Sequence, residues 1–135
     1  MIYKRRTYYH ETDQMRVIHH ANYLKYLEEA RIYYLDNIGL PYKMLEDIGI
    51  VSPVLEIECR YKKSILFNEV IDIHITMSNI TTVKFEFDYE IINSNNEVCF
   101  TAHSKHCLLK NGNVISIKKE NSDWYNLLLE NANKA

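Results

Sequence analysis

Glycine is scarce: the 135 residues hold three, Gly39, Gly49 and Gly112, far apart from one another. A phosphate-cradling loop needs clustered glycines and a nucleophile elbow needs GxSxG, so nucleotide-fold and serine-hydrolase chemistries are excluded. Long apolar runs are missing too. Nowhere do about 18 apolar residues follow one another, and the start, MIYKRRTYYHE, lacks the apolar stretch of a signal peptide. No membrane insertion is expected, and a cytoplasmic location is. There is no long basic run, and the formal net charge is -2, which argues against a nucleic-acid surface. Small molecules are the expected partners. The cysteines, Cys59, Cys99 and Cys107, are odd in number, widely spaced and set in strand-like contexts, so they are expected to be reduced and packed in the core. HExxH and paired-cysteine spacings are absent. His19, His20, His103, His106 and Cys107 invite a metal, but on a strand His103 and His106 point to opposite faces and cannot grip one ion. No metal and no cofactor are expected.

What is present suits one ordinary domain, residues 1–135, with a single core: 47% of the residues are hydrophobic and 25% charged. Tyr23, Leu24, Leu27, Ala30, Tyr34, Leu35 and Ile38 recur at spacings of three and four, which predicts a helix with one apolar face. Gly39 followed by Pro41 stops it near Ile38. A second, shorter helix is predicted over 42–48. After Pro53 the period changes to alternation. Leu55, Ile57, Cys59 and Tyr61 share one strand face, Ile71, Ile73, Ile75 and Met77 another, and Val83, Phe85, Phe87, Tyr89 and Ile91 a third. A last long strand is predicted over 98–109. Short polar links at 78–82 and 93–96 imply hairpins or a meander. A turn at Asn111-Gly112-Asn113 and a short helix over 121–129 follow. One N-terminal strand, one long helix and then a run of antiparallel strands make an α+β fold in which the helix covers one face of a sheet.

The stretch YHETDQMRVIHHANYLKYLEEAR, residues 9–31, carries the chemistry. A helix N-terminus offers unpaired N–H groups and the positive end of the macrodipole, suited to an oxygen that becomes negative during reaction. Asp13 lies in the loop before it. A base or nucleophile beside an oxyanion site is the minimum for hydrolysing an activated acyl group. A thioester asks for little more, because a thiol of pKa about 8.5 leaves without strong general-acid help. The competing reading is that Asp13 simply orders the loop or caps the helix.

T-D-x-M-x-V-I-x-H-A-N-Y-L-x-Y-L-E-x-A-R, from Thr12 to Arg31, resembles the signature of the hotdog-fold acyl-CoA thioesterases of the 4-hydroxybenzoyl-CoA and Tol-Pal-associated type. The likeness continues through Tyr61-Lys62-Lys63 with Asn68-Glu69, the AHSKHC stretch ending at Cys107, and 112–119. It implies a long central helix wrapped by a curved antiparallel sheet, and chains paired into a homodimer or homotetramer with sites at the interface. It makes Asp13 the catalytic carboxylate, as nucleophile or general base. It gives His20 the helix entrance, with its backbone N–H polarising the thioester carbonyl of an acyl-CoA. His19, Asn22 and Tyr23 are expected to shape that entrance beside the substrate, and Glu28 and Arg31 to match the pattern or form a local ion pair. The family has glycine, as D-x-x-G-V, where this chain has Arg16. Either the loop bends differently or its backbone is unstrained, and Arg16 faces solvent or an anionic group of the ligand. Arg60, Lys62, Lys63 and Lys105 are the cations expected to meet the phosphates of CoA. The alternatives are a non-catalytic acyl-thioester binding module and a thioesterase acting on acyl-carrier-protein thioesters. A hydratase of this fold would carry an Asn-Pro step, which is absent.

Overall fold

The structure is a computed structural model that describes residues 1–134. Five antiparallel strands form the main sheet in the order β1-β4-β5-β6-β3: β1 (Ile2–Arg6), β3 (Val54–Tyr61), β4 (Val70–Ser78), β5 (Lys84–Ile92) and β6 (Val98–Cys107). The polar links at 78–82 and 93–96 make β4, β5 and β6 a meander, as their composition implies. The segment after β3 then crosses from one side of the sheet to the other. A small second sheet holds β2 (Ile50–Val51), β7 (Leu109–Lys110) and β8 (Asn113–Val114). The long last strand therefore breaks at Leu108, which is buried, and its end pairs with β2 instead of continuing beside β5.

Helix α1 (His20–Ile38) lies on the sheet with Tyr23, Tyr26, Leu27, Ala30, Tyr34, Leu35 and Ile38 buried. Opposite them stand Ile71, Ile73, Ile75 and Met77 of β4 and Phe85, Phe87, Tyr89 and Ile91 of β5, all buried. Each fully buried side chain of this size is worth about 1.5–3 kcal/mol. Leu24, expected inward, is exposed, whereas Tyr26 is fully buried. At the C-terminus Gly39 takes φ 93°, and the Leu40 amide reaches back 2.9 Å to the Leu35 carbonyl, which satisfies the helix end. Helix α2 (Tyr42–Asp47) follows, and α3 (Ile117–Glu120) and α4 (Ser122–Asn131) end the chain. The short α3, which has no clear periodic signal, was not expected.

One cysteine is not where packing arguments put it. Cys99 and Cys107 are buried, but Cys59 is exposed. The reason is its strand: β3 pairs only with β6, and as an edge it leaves Leu55 and Tyr61 nearly half exposed as well.

A buried charge ties β1 to α1. The Glu11 carboxylate accepts from Arg5 Nη1 at 2.9 Å, Tyr26 Oη at 2.9 Å and the Tyr8 amide at 2.8 Å. Burial alone raises its pKa, but the Tyr8 amide, Arg5 and Tyr26 outweigh that and hold it below the ordinary carboxylate value. Replacing Glu11 with alanine takes from Arg5 its shorter partner and leaves it only Glu29 at 3.4 Å, and unfolding in urea is expected to show a loss of up to about 3–5 kcal/mol. In the native chain this contribution is present above the unfolded carboxyl value of about 4.3 and is lost as pH falls through the lower folded value.

Candidate active site

The chain between Glu11 and α1 folds into a small hairpin. Thr12 bridges Ile18, the Asp13 amide donates to the Val17 carbonyl at 2.9 Å, and the Arg16 amide donates to the Asp13 carbonyl at 3.1 Å. Asp13 also accepts the Met15 amide on Oδ1 at 2.7 Å, an Asx turn that fixes the carboxylate. A three-residue loop of this kind closes on a left-handed residue, and Arg16 is that residue, with φ 65°. Both expectations for this position are corrected: the loop keeps the bend that suits glycine, and the arginine adopts it at about 1–2 kcal/mol. The hairpin rests on the segment after β3, through Ile18 N–H to Ile65 carbonyl at 2.8 Å and a bridge from Val17 to Leu66.

At the start of α1 the backbone donors are allocated with one exception. The His19 amide reaches Glu11 O at 2.9 Å and the Asn22 amide reaches His19 O at 3.0 Å. The Ala21 amide is taken by His19 Nδ1 at 3.1 Å, so His19 is the N-cap. Asn22 Nδ2 also donates to Glu11 O, at 2.8 Å. The His20 amide has no acceptor among the described residues.

His20, which carries that free amide, and Asp13 border one open cleft of about 330 Å³, lined also by the hairpin, Tyr23, Tyr61, Lys62, Lys63 and Ser64. Two aromatic side chains line it, Tyr23 and Tyr61, and both pack on the buried Phe100, with ring centroids 4.9 Å apart in each pair. Tyr61 Oη donates to His20 O at 2.9 Å, pinning the end of β3 to the helix start. Burial pushes the Tyr23 phenol up to about 12, so it is neutral and cannot serve as a base near neutrality. Asp13 is half-buried, and its second carboxylate oxygen has no partner among the described residues. One oxygen orders the loop, as the competing reading expects, while the other is unengaged.

The structure brings Asp13, His20, Tyr23, Lys62 and Lys63 together. Lys63 is already paired with Glu97, which leaves Lys62 as the cleft's uncommitted cation. His19 and Asn22 hold the helix start through backbone contacts. Arg16 borders a separate cleft on the other side of the hairpin. Arg60 and Lys105 are not brought to Asp13: Arg60 lines a shallow depression with Glu58 and His103, and Lys105 lies 3.4 Å from Glu56 on the same outer face. Their strand parity decides this, since residues pairing as Arg60 with Thr101 and Glu56 with Lys105 face away from α1. His103 and His106 do face opposite ways. His103 meets Asp88 at 2.6 Å and Glu86 on the outer face, whereas His106 is buried against Phe85 and Phe87. Arg31 turns to Tyr89 Oη at 3.1 Å and makes no ion pair with Glu28. Glu11, whose carbonyl sets the helix start, was not singled out from sequence, because an isolated acid in a loop carries no periodic signal.

Comparison with known proteins agrees with this architecture. Residues 9–125 match the family model of the thioesterase-like superfamily. A protein of Aquifex aeolicus (strain VF5) named "Putative esterase" is 37% identical over 119 residues, 88% of this chain and 92% of that one. One of Bacillus subtilis (strain 168), "Putative acyl-CoA thioesterase YneP", is 34% identical over 119 residues, 87% of this chain and 86% of that one. The crystal structure of a DHNA-CoA thioesterase from Staphylococcus aureus superposes with TM-score 0.92 at 30% identity, covering 96% of this chain and 88% of the other. The chain belongs to the thioesterase-like superfamily, and its fold is the hotdog fold, an antiparallel sheet around a central helix. No helix among the described residues is long and apolar enough to cross a membrane.

The strain at Arg16 yields a direct test. Arg16→Gly relieves the left-handed penalty, offset in part by the greater freedom of glycine in the unfolded chain. A net gain of about 0.5–1 kcal/mol is expected, seen as a melting temperature a few degrees higher in differential scanning calorimetry. An unchanged or lower value would show that the Arg16 side chain itself stabilises the hairpin.

Proposed function

We propose that this chain, as a single hotdog domain, is an acyl-CoA thioesterase of the 4-hydroxybenzoyl-CoA and Tol-Pal-associated type, releasing a free carboxylic acid and CoA. One observation carries the reading: Asp13, with an unengaged carboxylate oxygen, and His20, with an unengaged amide at the positive end of a 19-residue helix, border the same cleft. The acyl carbonyl oxygen accepts from the His20 amide, and the negative charge it gains in the tetrahedral intermediate is stabilised by a donor already held in place. Asp13 then acts in one of two ways. As general base it takes a proton from water while the water oxygen attacks the carbonyl carbon. As nucleophile its own oxygen attacks and forms a mixed anhydride that water later cleaves. In both the C–S bond breaks with its electron pair leaving on sulfur, which is easy for a thiol of pKa about 8.5. The aromatic side chains exclude water from one side of the reacting group, and Lys62 offers a hydrogen-bond donor at the rim of the same cleft.

The names of the relatives support a CoA thioester as substrate. The edge strand supports a homodimer or homotetramer. Strand β3 exposes Leu55, Cys59 and Tyr61 together with unpaired backbone groups, an edge that isolated proteins cover or charge. A second copy paired along β3 covers it and brings its own surface to the end of the strand, where Tyr61, Lys62 and Lys63 border the cleft.

Asp13→Asn preserves size and the Met15 contact but removes the charge. Thiol release from short, long and aromatic acyl-CoAs is expected to fall by at least about 10²–10⁴-fold, while calorimetric binding of the acyl-CoA persists. Near-normal turnover in this variant would overturn the assignment, and a native chain that binds without turnover would make it a binding module. Equilibrium sedimentation at micromolar concentration is expected to give a dimer or a larger closed assembly, and a monomer would contradict the interface along β3.

A further inference from the structure

The second cleft, on the other side of the Asp13–Arg16 hairpin, is the larger of the two at about 570 Å³. Its walls are unlike those of the first. Tyr9 is 75% exposed, Leu66 54% and Phe67 49%, and the two rings meet edge to face with centroids 5.6 Å apart. The third wall is the hairpin itself, with Thr12, Gln14 and Arg16. Arg16 is exposed, and its guanidinium has no carboxylate partner among the described residues; in the first cleft Lys63 is committed to Glu97 and Lys62 is not.

We propose that this cleft holds the adenine nucleotide end of CoA, with the base against Tyr9 and Phe67 and the phosphates on Arg16. This rests on the acyl-CoA thioesterase reading and deepens it by naming the part of the substrate that the chain recognises outside the reacting cleft. Exposed aromatic faces suit a flat heterocycle, since every base has a π-face to stack. An arginine fork suits phosphate oxygens, which it engages with two parallel hydrogen bonds. An apolar acyl chain would gain from the rings but would desolvate the guanidinium without giving it a partner. The hairpin connects the two clefts, because Asp13 borders both. The pantetheine arm passes over it, with its thioester on the His20 side and its phosphates on the Arg16 side. The Asp13 carboxylate repels the phosphates but is tied down by the Met15 amide, which keeps the anionic end toward Arg16. The position of Arg16 has a reason on this account: a residue in a strained conformation is retained where its side chain meets the ligand. The site also discriminates between thioesters. A carrier-protein thioester ends its pantetheine arm at a phosphoserine and has no adenosine, so it leaves Tyr9 and Phe67 without a partner.

The test compares benzoyl-CoA and hexanoyl-CoA with S-benzoyl- and S-hexanoyl-pantetheine, and uses adenosine 3′,5′-bisphosphate as a non-reacting probe. In the native chain KM for the CoA thioester is expected to be at least about tenfold lower than for the pantetheine thioester, with similar kcat. In Tyr9→Ala/Phe67→Ala, and separately in Arg16→Gly, the ratio of the two KM values is expected to fall toward one. Adenosine 3′,5′-bisphosphate is expected to inhibit competitively in the native chain and weakly in both variants, with the Arg16→Gly difference shrinking at high salt. Equal KM values for both thioesters in the native chain, or a ratio unchanged in the variants, would overturn the nucleotide site while leaving the thioesterase reading intact. If no thioester is hydrolysed, the thioesterase reading fails, and calorimetric binding of the bisphosphate to the native chain and the double variant still decides the site: binding lost in the variant supports it, and binding absent or equal overturns it.

Discussion

The buried contact between Arg5 and Glu11 is the constraint on which the helix entrance depends. Both side chains are 9% exposed, so water satisfies neither charge; Glu11 relies on Arg5, and Arg5 has besides it only the longer contact to Glu29 at 3.4 Å among the described residues. Arg5 comes from β1, Tyr26 from the second turn of α1 and the Tyr8 amide from the turn between them. Three directions therefore converge on one carboxylate. Arg5 also lies over the Tyr26 ring, 4.2 Å from its centroid, which adds a cation–π attraction to the same junction. A pair of this kind adds little net stability over an apolar replacement, but its hydrogen bonds are directional, and they set how α1 sits against the sheet edge. The backbone of the same residue then completes the entrance. Glu11 O takes the His19 amide and the Asn22 side chain, and with His19 Nδ1 taking Ala21, the His20 amide is left as the free donor.

The Asp13 hairpin shows how a chain poor in glycine makes its turns. Between strands, Asn68, Asn79, Asn96 and Asn111 occupy left-handed positions, as do Asn133 after the last helix and Arg16. Asparagine tolerates that conformation because its short side chain hydrogen-bonds locally. Arginine has no such compensation. The four asparagines lie in connections that only turn the chain, whereas Arg16 stands between two clefts. The distribution separates turns made for economy from a turn where a long cationic side chain is kept despite the backbone it requires.

The fold was largely legible because its signals are periodic. Alternation over 71–77 and 83–91 marks two inner strands, β4 and β5, whose inward residues Ile71 to Met77 and Phe85 to Ile91 are buried, with Val83 half-buried just before β5, and the three-and-four spacing marks α1. Legibility failed at β3. Its alternating pattern is real, but alternation reports that one face is apolar, not that the same chain covers it, so Cys59 emerged exposed. The candidate site divided in the same way. Asp13 and His20 stand out in the sequence because they are local to one motif and one helix end, and the structure places them at one cleft. Of the expected cations Lys62 and Lys63 border that cleft and Arg60 and Lys105 do not, because whether a basic residue reaches it depends on strand parity and on which strand is the edge, and a list of basic residues contains neither. Glu11 escaped because its partners Arg5 and Tyr26 meet it only through the fold. The signal available was a turn acid followed fifteen residues on by an inward-facing tyrosine, visible only once Tyr26 is placed on the buried face.

The interior holds a second arrangement that looks more like an enzyme than the Asp13 cleft does, and comparing the two shows what makes a site here. Ser104 Oγ is 2.7 Å from His106 Nε2 and 2.5 Å from Tyr89 Oη, which in turn accepts from Arg31. A serine beside a histidine is the pairing of a nucleophile and its base. Ser104, however, is fully buried and His106 1% exposed, and burial, helped by the Arg31 charge, pushes the imidazole down to about 4. A histidine held neutral so firmly is a poor proton acceptor, and no acyl group reaches the serine. The network satisfies polar groups beneath the helix, each hydroxyl completing the next. At the helix entrance the hydrogen-bond inventory is left incomplete, with one amide and one carboxylate oxygen unspent at a surface that a ligand can reach. Among the described residues, the proposed site therefore lies where the fold leaves donor and acceptor groups open, and not where the familiar side chains happen to touch.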